Sequence, residues 1–306
     1  MEGQQPHGKS NLAIELAKQI NGEIISADSM QIYKDMNIGT AKVTPKEMSG
    51  IKHYMIDFLS PEERYNVSEY KIAAEKCIEE ILTKGKIPII VGGTGLYIDA
   101  LIYGIEFQEE KFDEKYREKL NNIAENEGLE KLYAEAVKID PIAMEKISKN
   151  DKKRIIRVLE IYHKTGKTKT EQEKESRKNG VKYNYHVFAI DMERNILYDR
   201  INKRVDMMIS EGLIEEVKNI LEKYKKFPTA MQGLGYKEVV DYLDGKYTKE
   251  EMIEKIKMET RRYAKRQLTW FRKNKQTTWL EGTNEIQNNI NIILEVSNIE
   301  RRKTKK

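Results

Sequence analysis

The first third of the chain alternates short apolar runs with helical patterns. Apolar residues recur at every fourth position over residues 11–20, which predicts an amphipathic helix. The runs Gly22–Ala27 and 86–91 are continuous and largely apolar, and their lengths are typical of strands. Continuous apolar strands separated by helices indicate a parallel sheet with helices on both faces. The sequence therefore predicts the α/β fold class.

The remaining two thirds of the chain have different patterns of apolar and charged residues. Residues 111–183 are charged and show almost no strand pattern, which predicts an all-helical insertion. Residues 185–190 predict a further strand, and amphipathic patterns predict long helices over 194–224 and 249–273. We therefore expect an α/β core formed by residues 1–110 and 184–282, a helical insertion at 111–183, and a C-terminal helix with a basic tail at 283–306.

Composition narrows the class of protein. The chain has 306 residues, of which 39% are hydrophobic, so it can bury a core. No apolar run approaches the roughly 18 residues that a membrane span needs, and no signal-peptide pattern opens the chain. A single cysteine, Cys77, excludes an internal disulfide and a cysteine-based zinc finger, and we expect it to pack in the interior. These features predict a cytoplasmic protein without a membrane partner.

Positive charge is concentrated near the C-terminus. The whole chain has a net charge of +5, but residues 255–306 contain 14 Lys and Arg against 5 Asp and Glu. A basic region on a nearly neutral body is typical of proteins that bind a polyanion such as nucleic acid. A solvated helix followed by a basic tail explains this charge equally well.

The N-terminus matches the phosphate-binding pattern G-x-x-x-x-G-K-[ST]. Gly3 and Gly8 allow backbone N–H groups to wrap around a phosphate, and Lys9 supplies a mobile positive charge. The Ser10 hydroxyl is of the type that binds Mg²⁺ in such loops. A loop of this kind normally follows a buried strand, but only two residues precede Gly3.

Two polar residues follow the predicted strands. Asp28 comes just after Gly22–Ala27, and Thr94 comes just after 86–91. Ligands bind beyond the carboxyl ends of the strands in an open parallel sheet, so both side chains are expected beside the phosphate loop. A carboxylate there can act as a general base. Each residue taken singly is also compatible with a turn or helix N-cap role.

Six further blocks occur in order along the chain: DSMQIY at 28–33, IGTAK at 38–42, HYMID at 53–57, GGTGLY at 92–97, MQGLGYKE at 231–238 and KRQLTWFR at 265–272. Together they resemble bacterial tRNA dimethylallyltransferases, the tRNA isopentenyltransferases. The chain departs from this family at its front, where GQQPHGKS at 3–10 stands in place of a loop close to GPTAxGK[ST] and its preceding strand. We therefore expect the native N-terminus to be longer.

The resemblance implies a P-loop NTPase-like sheet and transfer of a dimethylallyl group from dimethylallyl diphosphate, with Mg²⁺, to N6 of the adenosine at position 37 of tRNA. Asp28 is implied to be the base, with Thr94 beside it. The implied diphosphate ligands are Gly3, Gly8, Lys9, Ser10, and Arg200 or Arg204, and Ser10 is also implied to hold the metal. Arg200 and Arg204 also fit the role of solvated helix charges.

The same resemblance implies that the target adenine flips out of the anticodon stem-loop into the enzyme. We expect the enzyme to be a monomer. The implied tRNA contacts are Asp28, Ser29, Met30, Gln31, Lys153, Arg154, Ile155, Ile156, Arg157, Met231, Gln232, Gly233, Leu234, Gly235, Tyr236, Lys265, Arg266, Gln267, Leu268, Thr269, Trp270, Phe271 and Arg272.

Two other functions fit the same residues. A P-loop small-molecule kinase would use ATP as donor and Asp28 as the base for a hydroxyl acceptor. A relative that has lost catalysis would bind anticodon stem-loops, with a steep salt dependence, without forming product. The basic helical segments argue against the kinase, because a small acceptor needs neither of them.

Overall fold

The computed structural model describes residues 8–107, 113–177 and 180–301. It divides into two compact units. The first contains the residues up to Leu101 and those from Asn184 onward, and the second is Ile102–Tyr183. The second unit thus begins ahead of residue 111, where the charged helical pattern starts.

The helices occur in both units and are numbered along the chain. They are α1 Lys9–Ile20, α2 Pro45–Met48, α3 Val67–Thr83, α4 Gly95–Ile102, α5 Glu114–Asn126, α6 Leu129–Ile139, α7 Pro141–Met144, α8 Lys152–Thr165, α9 Lys169–Glu175, α10 Arg194–Ser210, α11 Leu213–Lys223, α12 Tyr236–Leu243, α13 Lys249–Phe271 and α14 Ile286–Ser297.

The strands of the first unit form two parallel sheets. They are β1 Gly22–Ala27, β2 His53–Tyr54, β3 Ile87–Gly92, β4 Val187–Asp191 and β5 Thr277–Glu281. One sheet has the order β2-β1-β3, and β4 pairs with β5 in the other. In the first sheet Ala27 lies opposite Gly92, so β1 and β3 end side by side at one edge.

Helices cover the central strand, as the continuous apolar run requires. Every residue of β1 is buried. Leu12 and Leu16 of α1 pack with Ile87 and Ile89 of β3, and the strand-facing side of this helix therefore belongs to the core. A second apolar cluster gathers the loop after β1 with α10, α11, α12 and α13, and the fully buried Tyr236 lies within it.

Several predictions from the pattern are confirmed, and others need correction. The strand Gly22–Ala27 is observed with the predicted bounds. The helix predicted over 194–224 is interrupted, because Gly212 adopts a φ of +103° and separates α10 from α11. The strands β2 and β5 were not predicted, and Cys77 is half-buried rather than enclosed. In the described ranges, no helix is both long and apolar enough to cross a membrane.

The second unit is entirely helical where it is described. Helices α5, α6, α7 and α8 surround a core that contains Leu120, Leu132, Ile155 and Leu159. Glu160 lies at the margin of this core and accepts two hydrogen bonds from Arg117, at 2.5 and 2.7 Å. This paired geometry satisfies a carboxylate that is only 8% exposed.

Candidate active site

The N-terminus of α1 lies beside the end of β3. Gly8 is the N-cap of the helix, in an extended conformation, and Lys9 is the first helical residue. The ammonium group of Lys9 donates a hydrogen bond to the Gly92 carbonyl at 3.3 Å. Ser10 follows in the first turn, whereas Gly3 lies outside the described residues. A positive helix terminus and a lysine therefore meet at the edge where β1 and β3 end.

Asp28 is held in a tight turn immediately after β1. Its Oδ1 accepts hydrogen bonds from the backbone N–H groups of Met30, at 2.8 Å, and of Gln31, at 3.3 Å. Within the described part of the chain, Oδ2 makes no hydrogen bond. The turn therefore orients the carboxylate through one oxygen and leaves the other as a proton acceptor.

Thr94 joins the two strand ends. Its Oγ1 accepts a hydrogen bond from the backbone N–H of Ser29 at 3.0 Å and donates to the Ser29 hydroxyl at 3.3 Å. The Thr94 N–H donates to the Ala27 carbonyl at 3.1 Å. These bonds fix the spacing between the Asp28 turn and the glycine-rich turn at the end of β3.

The glycine-rich turn packs closely against α13. Gln267 donates from Nε2 to the Gly93 carbonyl at 2.8 Å, and a Cβ on Gly93 would overlap that amide. A Cβ on Gly95 would lie 2.6 Å from Cδ1 of Trp270. The Tyr263 hydroxyl also points to the Gly93 carbonyl, at 3.4 Å. A side chain at Gly93 would displace the Gln267 amide, and one at Gly95 would collide with the Trp270 ring, which explains the preference for glycine at both positions.

The charged groups of the site are electrostatically coupled. Desolvation among surrounding protein atoms lowers the pKa of the Lys9 ammonium, while the Asp28 carboxylate opposes this shift and Arg204 adds to it. Desolvation likewise lowers the pKa of Arg204, again opposed by Asp28. Both cations keep solvent-accessible surface, as expected for groups that line an open site. Two cations therefore flank one carboxylate.

Arg200 faces a different part of the first unit. Its Nη1 donates to the Gly282 carbonyl at 3.3 Å, next to the end of β5. One turn later on the same helix, Arg204 interacts with Asp28 and Lys9. The two guanidinium groups therefore have different partners, although their four-residue spacing puts them on the same face of α10.

Comparison with known proteins identifies the family. The family model described as IPP transferase matches residues 31–274 of this chain. The tRNA dimethylallyltransferase of Acetivibrio thermocellus is 52% identical over 279 residues, 91% of this chain and 89% of the relative. The tRNA dimethylallyltransferase of Halothermothrix orenii is 50% identical over 273 residues, 89% and 83% of the two chains.

Solved structures agree with these relatives. The tRNA isopentenylpyrophosphate transferase of Bacillus halodurans superposes with a TM-score of 0.71 at 41% identity, over 95% of this chain and 92% of that one. A eukaryotic dimethylallyltransferase described as acting on tRNA gives 0.77 at 32% identity, over 99% and 80%. The chain belongs to the IPP transferase family. The expected α/β class, with a P-loop NTPase-like parallel sheet, is confirmed.

The segments of this IPP transferase that the sequence assigned to RNA differ in exposure. Ile155 and Ile156 lie in the core of the second unit, and Met231 and Tyr236 lie in the core of the first, so these four side chains offer no surface to RNA. Alternate positions of a helix or turn face inward, so any RNA contact at these four residues would involve the main chain, and their assignment to RNA stays a prediction. The exposed members are Lys153, Arg154, Gln232, Lys265, Arg266, Thr269 and Arg272.

One face of α13 in this IPP transferase borders a cavity of about 690 Å³ beside β4 and β5. Lys265, Leu268, Thr269 and Arg272 line it. The opposite face carries Gln267 and the other side chains that pack on the glycine-rich turn. The same helix therefore has one side packed on the glycine-rich turn and one side that lines this cavity.

Among the described residues, no cluster of three or more His, Cys, Asp or Glu side chains could hold a metal ion. Ser10, in the first turn of α1, supplies one hydroxyl of the appropriate type. The donor set suits Mg²⁺ that arrives with a phosphate ligand, since this ion usually keeps waters and takes substrate oxygens.

Two residues of the site were not found from the sequence. Tyr263 lies four and seven residues before Gln267 and Trp270, so the helical spacing contains the signal that they share a face. Glu216, on α11, binds the loop after β1 and carries no local signal of that contact. Only the tertiary arrangement brings it there.

Proposed function

We propose that this chain transfers a dimethylallyl group from dimethylallyl diphosphate to N6 of the adenosine at position 37 of a tRNA, beside the anticodon. The observation that carries the proposal is the coupling of Lys9, Asp28 and Arg204 at the edge where β1 and β3 end. The carboxylate provides a base, and the two cations beside it provide a site for the diphosphate. The tRNA-modifying activity named for the relatives supplies the substrate class.

The acceptor needs a base. The adenine N6 amine is a weak nucleophile because its lone pair is delocalised into the ring. As the bond from N6 to the allylic carbon forms, one N6 proton must leave, and in this proposal Asp28 takes it through Oδ2, which makes no hydrogen bond among the described residues. Thr94, bonded to Ser29 beside Asp28, fixes the turn against which the adenine edge is held.

The donor needs cations. The bond from the allylic carbon to the diphosphate oxygen breaks, and negative charge grows on the leaving group. Lys9, Arg204 and the N–H groups at the start of α1 would stabilise that charge with little reorganisation. Ser10 would hold Mg²⁺ together with the diphosphate, and the ion would supply additional positive charge. We do not assign the diphosphate to Arg200, because its guanidinium binds the Gly282 carbonyl.

The RNA needs a route to this edge. An adenosine in an anticodon loop can be extruded at modest cost, since loop bases are already partly unstacked. The exposed cations Lys265 and Arg266 of α13, and Arg272 directly after it, are suited to the flanking phosphates. We further propose that the enzyme acts as a monomer.

The decisive experiment is nucleoside mass spectrometry on unmodified tRNA incubated with the protein, dimethylallyl diphosphate and Mg²⁺. Adenosine-37 carrying one dimethylallyl group is the expected product. RNA binding without product would favour a relative that has lost catalysis. Tight Mg²⁺-dependent ATP binding that dimethylallyl diphosphate does not displace would favour the kinase instead.

A further inference from the structure

Glu216 gathers four hydrogen-bond donors around one carboxylate. Its oxygens accept the backbone N–H groups of the consecutive residues Asn37, Ile38 and Gly39, at 3.0, 2.7 and 3.2 Å. They also accept the Tyr236 hydroxyl, at 2.6 Å. Three successive N–H groups form a concavity that suits an anion, and here a side chain of the protein itself fills it.

The loop that Glu216 binds is closed on itself. The Ala41 N–H donates to the Ile38 carbonyl and the Lys42 N–H to the Asn37 carbonyl, both at 2.9 Å. Ala41 has a φ of +45°, a conformation that a non-glycine residue adopts at some cost. The contacts of Glu216 offset that cost and keep the loop in one arrangement.

Gly39 shows how closely the loop fits its support. A Cβ on this residue would lie 2.5 Å from Cε2 of Tyr236 and 2.9 Å from Cδ1 of Leu213. The aromatic ring thus touches the loop backbone while its hydroxyl binds Glu216. Burial and the Glu216 carboxylate raise the pKa of Tyr236, so the phenol stays protonated and acts as a donor.

The other side of the loop holds the side chain of Gln31. Its Nε2 lies 3.2 Å from the Thr40 carbonyl and 3.5 Å from the Ala41 carbonyl. Its Oε1 accepts the Ser26 hydroxyl at 3.2 Å, so the amide is oriented at both ends. The backbone N–H of Gln31 donates to Oδ1 of Asp28.

We propose that Glu216 is a positioning residue for the acceptor side of the reaction. Glu216 orders residues 37–41. The carbonyls of Thr40 and Ala41 in this loop orient the Gln31 amide, and the backbone N–H of Gln31 in turn binds Asp28. Glu216 itself lies on α11 and reaches the reacting groups only through the loop. The proposal rests on the proposed function, in which Asp28 and Gln31 receive the tRNA adenosine while Lys9 and Arg204 bind the diphosphate.

The test compares Glu216→Gln with Glu215→Gln. The amide of Glu216→Gln keeps one acceptor oxygen but turns an N–H group towards donors, so it cannot accept all four bonds. Glu215 lies next in the chain, is 66% exposed at its side chain and pairs with Lys218 on the surface. Its variant controls for loss of one negative charge on α11.

Three readouts separate positioning from a general loss of fold. We expect Glu216→Gln to accelerate amide exchange in the peptide covering 37–42, to weaken anticodon stem-loop binding in an anisotropy titration several-fold, and to lower kcat/KM for tRNA by roughly 10–100-fold. The KM for dimethylallyl diphosphate should stay within about twofold, because misplacement on the acceptor side leaves the diphosphate site intact. Glu216→Asp should recover part of the loss.

Equal increases in both KM values, or faster exchange without any change in stem-loop affinity and turnover, would overturn the positioning role. An inactive wild-type protein whose stem-loop binding still depends on Glu216 would overturn the proposed chemistry and support the positioning role. If Glu215→Gln reproduced every effect, the cause would be the charge of α11, and the proposal would fail.

Discussion

Asp28 places its two carboxylate oxygens in different surroundings. Oδ1 is occupied by the N–H groups of Met30 and Gln31, which fix the direction of the side chain. Oδ2 makes no hydrogen bond within the described residues and is oriented by the same turn. An asparagine would preserve the turn, because its carbonyl oxygen accepts the same two donors. The turn and the proposed proton transfer can therefore be separated by a substitution of nearly equal shape.

Asp28→Asn should lower the rate of tRNA modification by a factor of roughly 10²–10⁴ with little change in tRNA affinity, because only the base is lost. Single-turnover formation of modified adenosine measures the rate, and a filter-binding titration measures the affinity. Asp244→Asn, on an exposed carboxylate that pairs with Lys246, is the control for charge. An undiminished rate would remove Asp28 from the role of base.

Arg204→Gln and Arg200→Gln should have very different effects on kcat/KM for dimethylallyl diphosphate, although the two residues are one helical turn apart. Arg204 interacts with Lys9 and Asp28, so its loss should lower kcat/KM for dimethylallyl diphosphate by about 10²–10³, as for the removal of a donor to a developing anion. Arg200→Gln removes a bond to Gly282 and should change it by less than about tenfold. Steady-state kinetics at saturating tRNA tests this, and equal losses would contradict the assignment.

At the scale of elements, β1 carries a buried carboxylate at its start. Glu23 accepts hydrogen bonds from Lys86 at 2.6 Å and from Tyr54 of β2 at 2.8 Å. Burial alone would raise its pKa, but these bonds and the charges of Lys86 and Lys84 outweigh burial, so the pKa of Glu23 is lowered from 4.5. The network connects β1 and β2 to the lysines that follow α3, at the end of the sheet opposite to Asp28 and Thr94.

The sign of the resulting pH dependence follows from that lowered pKa. A carboxyl group with a folded-state pKa below its unfolded value stabilises the fold above about pH 4.5, and this contribution is lost as the pH falls through the folded-state pKa. Glu23→Gln should cost about 1–3 kcal/mol at pH 7, and its difference from wild type should shrink below pH 4.5. Urea unfolding at pH 7 and pH 3.5 tests this, with the exposed Glu118→Gln as control. A constant difference would contradict the prediction.

Local pattern predicts elements better than their partners. Gly22–Ala27 was predictable because a continuous apolar run of that length has few alternatives to a buried strand. β5 was not predicted although its threonines and tryptophan favour strands, because so short a run is identified as a strand only by its pairing with β4. Asp28 and Thr94 were found as strand-end residues, whereas Tyr263 and Glu216 reach the site across the fold. Long-range packing leaves little trace in a single sequence.

At the scale of the whole molecule, charge is small in sum and uneven in distribution. The net charge of +5 conceals the strongly basic region at 255–306, which includes the exposed Lys265 and Arg266 of α13. The second unit carries its own exposed cations, Lys153 and Arg154. Each lysine that contacts a phosphate releases counterions, so affinity for tRNA should fall steeply with salt.

Lys265→Ala and Lys153→Ala should each weaken tRNA binding for all sequences alike and reduce the slope of log K against log salt concentration by about one. Lys218→Ala, on α11 and paired with Glu215, should leave the slope unchanged. Binding titrations between 50 and 200 mM salt, roughly the range over which such effects are large, measure the slope. Unchanged slopes in the first two variants would exclude these lysines from the RNA surface.

The contact between Trp270 and Gly95 has an optical consequence. The chain contains two tryptophans, and the other, Trp279 of β5, lies 5.8 Å from the Arg272 guanidinium at the cavity beside β4 and β5. Trp279→Phe therefore leaves a single indole against the glycine-rich turn. Its fluorescence would report binding of dimethylallyl diphosphate beside this turn in an unlabelled protein. Donor binding could therefore be followed in real time before any RNA is added.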